Sequence, residues 1–114
     1  MVNVEVIVNE IVDDLKIELS DEPTFKVEIL RNKVKNACRE VMMKRNYKVT
    51  RYTDDEILDD LFNYYSVIEN LARFDYNQLG AEGEQSHTEN GITRSYVSRD
   101  SLLKGVHAFV KVFP

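Results

Sequence analysis

The sequence predicts an all-α fold: a small helical bundle with one long central helix, a protruding polar loop or β-hairpin near 81–97, and a short C-terminal helix plus extended tail. Three observations predict it. Apolar residues recur at three- and four-residue steps through most of the chain, the spacing that puts them on one face of an α-helix. Thr53 and Glu56 spell a capping box, T-x-x-E, which marks a helix start. The one Asn-Gly pair, Asn90-Gly91, lies in a polar stretch and suits a type I′ hairpin turn, because both residues tolerate the positive φ that turn demands.

Taken in order, the first helix is expected over about 3–17. Val4, Ile7, Val8, Ile11, Val12 and Leu15 make its stripe, although the β-branched residues weaken it and VNVEVIV also alternates like a strand. Residues 20–23 read as a stop and a restart, with Asp21 as N-cap and Pro23 in a first turn where its missing N–H costs nothing. A second helix follows over 23–45, carrying Val27, Leu30, Val34, Ala37, Cys38 and Val41 toward a core. Cys38 falls within that stripe and is read as a small buried hydrophobe, since no histidine stands at a helical spacing to activate it.

The third helix is expected over 53–79, about 40 Å at 1.5 Å per residue, and so the central strut of the bundle. Tyr52 and Ile57 stand at the staple positions around its capping box, and Asp54 and Asp55 suit the positive end of its dipole. Gly80 is the expected residue that ends it, and a hinge. Asp75, close to the negative end of that dipole, needs a partner such as an arginine. The loop 80–98 comes next, then a helix over 100–107 capped by Asp100. Residues 108–113 read as a terminal strand or extended tail. If Asn90 and Gly91 form the turn, neither face of the hairpin is apolar; such a ribbon is marginal alone, so something outside the chain is expected to hold it.

At 114 residues, 43 % hydrophobic and 31 % charged, the chain reads as a single globular domain, 1–114. No apolar run is long enough for a membrane span, and the acidic residues within positions 1–19 argue against a secretory leader. A single cysteine and two histidines, His87 and His107, give no internal disulfide and no zinc spacing; no metal or cofactor is expected. The net charge of −5 hides a segregation: Arg31, Lys33, Lys35, Arg39, Lys44, Arg45, Lys48 and Arg51 lie in a block whose only acid is Glu40, and acidic clusters flank it on both sides. These signs meet within the fold, or they meet between copies of the chain, where Arg31, Lys35 and Arg39 would face Asp55 and Asp59.

No catalytic constellation assembles. Ser86 and His87 are strand neighbours pointing to opposite faces, and the pairs Asp54/Asp55 and Asp59/Asp60 read as capping and solubility on the exposed side of a helix. The glycines of LGAEGE follow no strand, so they make no phosphate loop. An enzyme is not expected.

The stretch DYNQLGAEGEQSHTENGITRSY, preceded by YYSVIENLAR and followed by SLLKGVHAFVKV, resembles the small head–tail connector (head completion, or adaptor) proteins of tailed phages and prophages. Their pattern is an aromatic helix ending in a Tyr-Asn-x-Leu/Ile-Gly-type turn, then Gly-Glu-x-Ser-His-x-Glu-x-Gly-Ile-x-Arg, then a GV-x-x-F-V-K-V-like tail. The specific match covers roughly residues 64–112, while the N-terminal helices agree only in pattern and length. The resemblance implies an α-helical subunit of a ring of about twelve or thirteen copies, a closed cyclic homo-oligomer that could be a monomer when isolated. That ring would sit between the portal protein and a stopper or tail completion protein, and DNA would pass through its channel without sequence-specific binding. The location implied is the head–tail interface of the virion, and the bacterial host cytoplasm during assembly.

Carried onto this sequence, the resemblance makes Gly83, Glu84, Ser86, His87, Glu89, Gly91, Ile92 and Arg94 candidates for subunit or portal contacts. Val106, Phe109, Val110 and Val112 of the tail stand beside them. The alternative reading is a small helical nucleic-acid-binding protein using the basic 31–51 region, whose mark would be duplex binding that weakens steeply with salt. An acidic pI near 5.0 and the absence of a recognition-helix motif weigh against it.

Overall fold

The computed structural model describes residues 2–47, 52–82 and 99–108, and the fold among them is helical, with no strand. Five helices follow in order: α1 (Glu5–Leu19), α2 (Val27–Arg45), α3 (Asp54–Phe62), α4 (Tyr65–Glu82) and the single turn α5 (Arg99–Leu102).

The three- and four-residue stripes are what folds the chain. Ile7, Val8, Ile11, Val12 and Leu15 of α1, Leu30, Val34, Ala37, Cys38 and Val41 of α2, Ile57 and Leu61 of α3, and Ile68, Leu71 and Ala72 of α4 are all buried in one cluster. Each fully buried Leu or Ile contributes about 1.5–3 kcal/mol relative to exposure, so this shared core dominates the stability. α2 packs along α4 most extensively, along α1 next, and touches α3. The central element is therefore α2, where the sequence pattern pointed to the helix after Thr53.

That expected helix over 53–79 is two helices. Asn63 N–H donates to the Asp60 carbonyl at 3.0 Å and Tyr64 N–H to that of Leu61 at 2.9 Å, a tightened i→i−3 turn before the ladder resumes from Ile68 to Tyr64. Asn63 is a weak helix former, and one tightened turn leaves the apolar spacing on either side unchanged; hence the period alone did not reveal the break. Nor does Gly80 end α4, because the helix runs through it to Glu82.

Two further boundaries differ. α2 begins at Val27, not near Pro23: Asp21 and Pro23 lie in turns, and the extended Lys26 is the residue before the helix, its N–H donating to the Tyr76 hydroxyl at 3.0 Å. Phe25 sits against the Tyr76 ring with centroids 5.9 Å apart, so the connector is tied down on α4 before the helix starts. At its far end α2 closes on Asn46 in the left-handed conformation (φ 51°), whose N–H bonds the Met42 and Met43 carbonyls. The helix expected over 100–107 is only the turn Arg99–Leu102, after which the chain continues as a turn over 103–105 and then without regular structure to 108; Asp100 lies inside the first turn of the helix.

Candidate functional site: two arginine clamps at the edge of the helical body

α2 carries Arg45 four residues beyond Val41, on its buried stripe. A guanidinium there must find partners, because an uncompensated buried charge is strongly destabilising. Asp60 supplies them. Its position three residues after Ile57 and one before Leu61 puts it on the inner face of α3, at 8 % exposure. Nε and Nη2 of Arg45 reach its two carboxylate oxygens at 2.7 Å each, Nη1 donates to the His107 carbonyl at 3.0 Å, and the guanidinium lies 4.8 Å from the Tyr64 ring centroid. The Tyr47 hydroxyl donates to the same carboxylate. Burial opposes the charge on Arg45, yet the Asp60 hydrogen bonds and charge outweigh it, so its pKa rises. Burial and the Asp60 carboxylate likewise push the Tyr47 hydroxyl above its ordinary value.

The second clamp closes over α5. Arg99 gives Nε and Nη2 to Asp75 of α4 at 2.8 Å each, and Nη1 and Nη2 to Glu40 of α2 at 2.8 and 2.7 Å. Hydrogen bonds to Asp75 and Glu40 raise the Arg99 pKa in spite of partial burial. Asp75 thus has the arginine partner its helix position called for. Elsewhere Arg73 binds Glu18 at 2.7 Å, joining α4 to α1, and the Tyr65 hydroxyl bonds Asp14.

Each clamp stands next to a segment outside the described residues. Tyr47 precedes 48–51, Arg99 follows 83–98, and His107 lies just before 109–114. Both guanidinium groups are committed to carboxylates of the same chain, so neither is offered to an anionic ligand; the arrangement ties the end of α2 to α3 and ties α5 to α2 and α4.

Of the residues singled out in the sequence, Gly83, Glu84, Ser86, His87, Glu89, Gly91, Ile92, Arg94, Phe109, Val110 and Val112 lie outside the described residues, as does the expected hairpin. Val106 is 5 % exposed within the chain's own core, so its side chain is already covered. Asp55 and Asp59 are on α3, whereas Asp60 is buried and paired and so is not part of a solubility pair. Arg31 donates to Asn9 of α1 at 2.6 Å, while Lys35 and Arg39 form no ion pair among the described residues. Part of the segregated charge therefore meets within the fold, through Arg45 and Asp60.

Cys38 is buried on the inner face of α2, and burial pushes its thiol up to about 11 despite the neighbouring Arg39, which is the opposite of an activated nucleophile. Among the described residues no three His, Cys, Asp or Glu side chains gather as a metal site, and no helix is long and apolar enough to cross a membrane. The sequence pattern did not reveal the Arg45–Asp60 clamp, and of the second it gave only the need of Asp75 for an arginine, not Arg99 or Glu40. The signals of the first were positional: an arginine at i+4 on an apolar stripe and an aspartate at i+3 from a core isoleucine.

Comparison with protein-family models, with curated proteins and with solved structures finds no match to this chain.

Proposed function

We propose that this chain is a structural subunit of the head–tail connector type, assembling as a ring between a portal and a tail-side completion protein and using residues 83–98 as its assembly arm. The observation that carries the reading is the shared core of the helical body. Among the described residues α1, α2, α3 and α4 close a common core, and Arg99 fastens the chain to α2 and α4 directly after residues 83–98. A polar segment that ends at such a fastener can be devoted to a neighbouring protein. The resemblance of residues 64–112 to connector proteins supplies the kind of neighbour.

Removing residues 84–94 tests it. The variant should keep its far-ultraviolet circular dichroism and its melting temperature within about 2–4 °C of the parent. Virions from cells in which the variant is the sole copy should lack the protein and have heads without tails. Unfolding of the variant, or virions assembled normally with it, would overturn the reading.

A further inference from the structure

Two outward helix faces of this chain complement one another and cannot meet within a single copy. On α1 the outward positions are Glu10, Asp13 and Ile17, and on α2 they include the half-buried Lys35 with the exposed Arg39 and Met43. Ile17 at 82 % and Met43 at 78 % are the two most exposed large hydrophobic side chains among the described residues. The four charged side chains form no ion pair among the described residues. At 1.5 Å per residue, Asp13 and Ile17 lie about 4.5 and 10.5 Å beyond Glu10, and Arg39 and Met43 about 6 and 12 Å beyond Lys35. The order acid, acid, apolar on one face thus matches base, base, apolar on the other to about 1.5 Å, provided the two helices run in the same direction.

Within one chain they do not. α1 and α2 pack on each other through the short connector 20–26 and are antiparallel neighbours, with Ile17 near the start of α2 and Met43 at its far end. We infer that the α1 face of one copy docks on the α2 face of a second copy, with Glu10 and Asp13 against Lys35 and Arg39 and Ile17 against Met43. The two patches differ, so the contact is head-to-tail; repeated, it closes a ring or runs on as a filament. Charge complementarity selects the second copy as occupant, and the apolar pair supplies what exposed ion pairs alone do not. The inference deepens the ring reading by naming its subunit contact, and it rests on that reading only for closure of the ring.

Sedimentation velocity of the full chain at millimolar concentration and low salt tests it. Wild type should associate, and association should weaken as salt rises. Either E10K/D13K or K35E/R39E should raise the dissociation constant about tenfold or more. Mixing the two reversed variants should restore association, since each then offers the face the other lacks. Monomeric wild type, association that survives both reversals, or no recovery on mixing would overturn the inference. Retention of a labelled DNA duplex lost only in K35E/R39E, with monomeric wild type, would assign the α2 face to a polyanion instead and overturn it too. Association through these faces in a chain that never enters virions would sink the connector reading and leave this contact standing; incorporation unaffected by both reversals would do the reverse.

Discussion

Arg45 and Asp60, fifteen residues apart in sequence, form a two-pronged ion pair at 2.7 Å on both prongs with 9 % and 8 % of their surfaces exposed. Three parts of the fold meet in it: the end of α2, the inner face of α3, and the stretch of chain ending at the His107 carbonyl. Removing one partner strands the other charge in a site built for a pair, so R45A and D60A should each cost about 3–5 kcal/mol, much of the roughly 5–15 kcal/mol expected of such a domain. R45M/D60L, which removes both charges, should cost far less than the sum. Urea denaturation at neutral pH measures all four chains, and a double variant as costly as the sum would refute the buried-pair account.

Arg99 is a weaker fastener because it is about a third exposed, and water screens it. R99A should cost only about 1–2 kcal/mol overall. Its effect should be local. The amides of Leu103 and Val106, which bond within this last turn, should lose protection against hydrogen exchange, while those of Ile11 and Leu30 in the core keep theirs. Equal loss in both places would mean that Arg99 supports the whole body.

The helical class, the core stripes, the burial of Cys38 and the capping box were legible because each is a local or periodic signal. Val34, Ala37, Cys38 and Val41 announce a buried face by spacing alone, and T-x-x-E announces a helix start by chemistry. What escaped was long-range. Asp60 looks like the second half of a solvated Asp-Asp pair until Arg45 is brought to it across the bundle, and Glu40 looks like a stray acid in a basic block until Arg99 arrives from 59 residues away. Choosing α2 as the central element likewise needs the packing, since helix length is visible in sequence and neighbours are not. The residues of the expected arm lie outside the described part of the chain, so the candidate site was legible only as a pattern.

The capping box makes a sharper local prediction. Thr53 Oγ1 accepts from the Glu56 N–H at 3.1 Å and the Glu56 carboxylate accepts from the Thr53 N–H at 2.9 Å. T53A should cost about 1 kcal/mol, whereas T53S keeps the hydroxyl acceptor and should stay within a few tenths. Urea midpoints of the two chains decide the matter; a loss in T53S equal to that in T53A would show that the hydroxyl does not hold the start of α3.

Alkaline pH reads the core through Cys38. Burial raises its thiol from an ordinary value near 9 to about 11, so the folded state holds a proton that the unfolded chain has begun to release. Between those values the unfolded chain binds fewer protons than the folded one, and stability falls as pH rises. The stabilisation is whole below about pH 9 and is lost by about pH 11. It amounts to roughly 2–3 kcal/mol, because each pH unit between the two values is worth about 1.4 kcal/mol for one proton. Tyr47 and Tyr65, both raised by burial and by a hydrogen-bonded aspartate, add to the same decline at the upper end of that range. C38A, which removes the thiol, should lose stability across the range by that much less than the parent, whatever its starting level at pH 8. Equal declines in both chains would mean that the thiol titrates in the folded protein as it does in water, and that the core does not shield it.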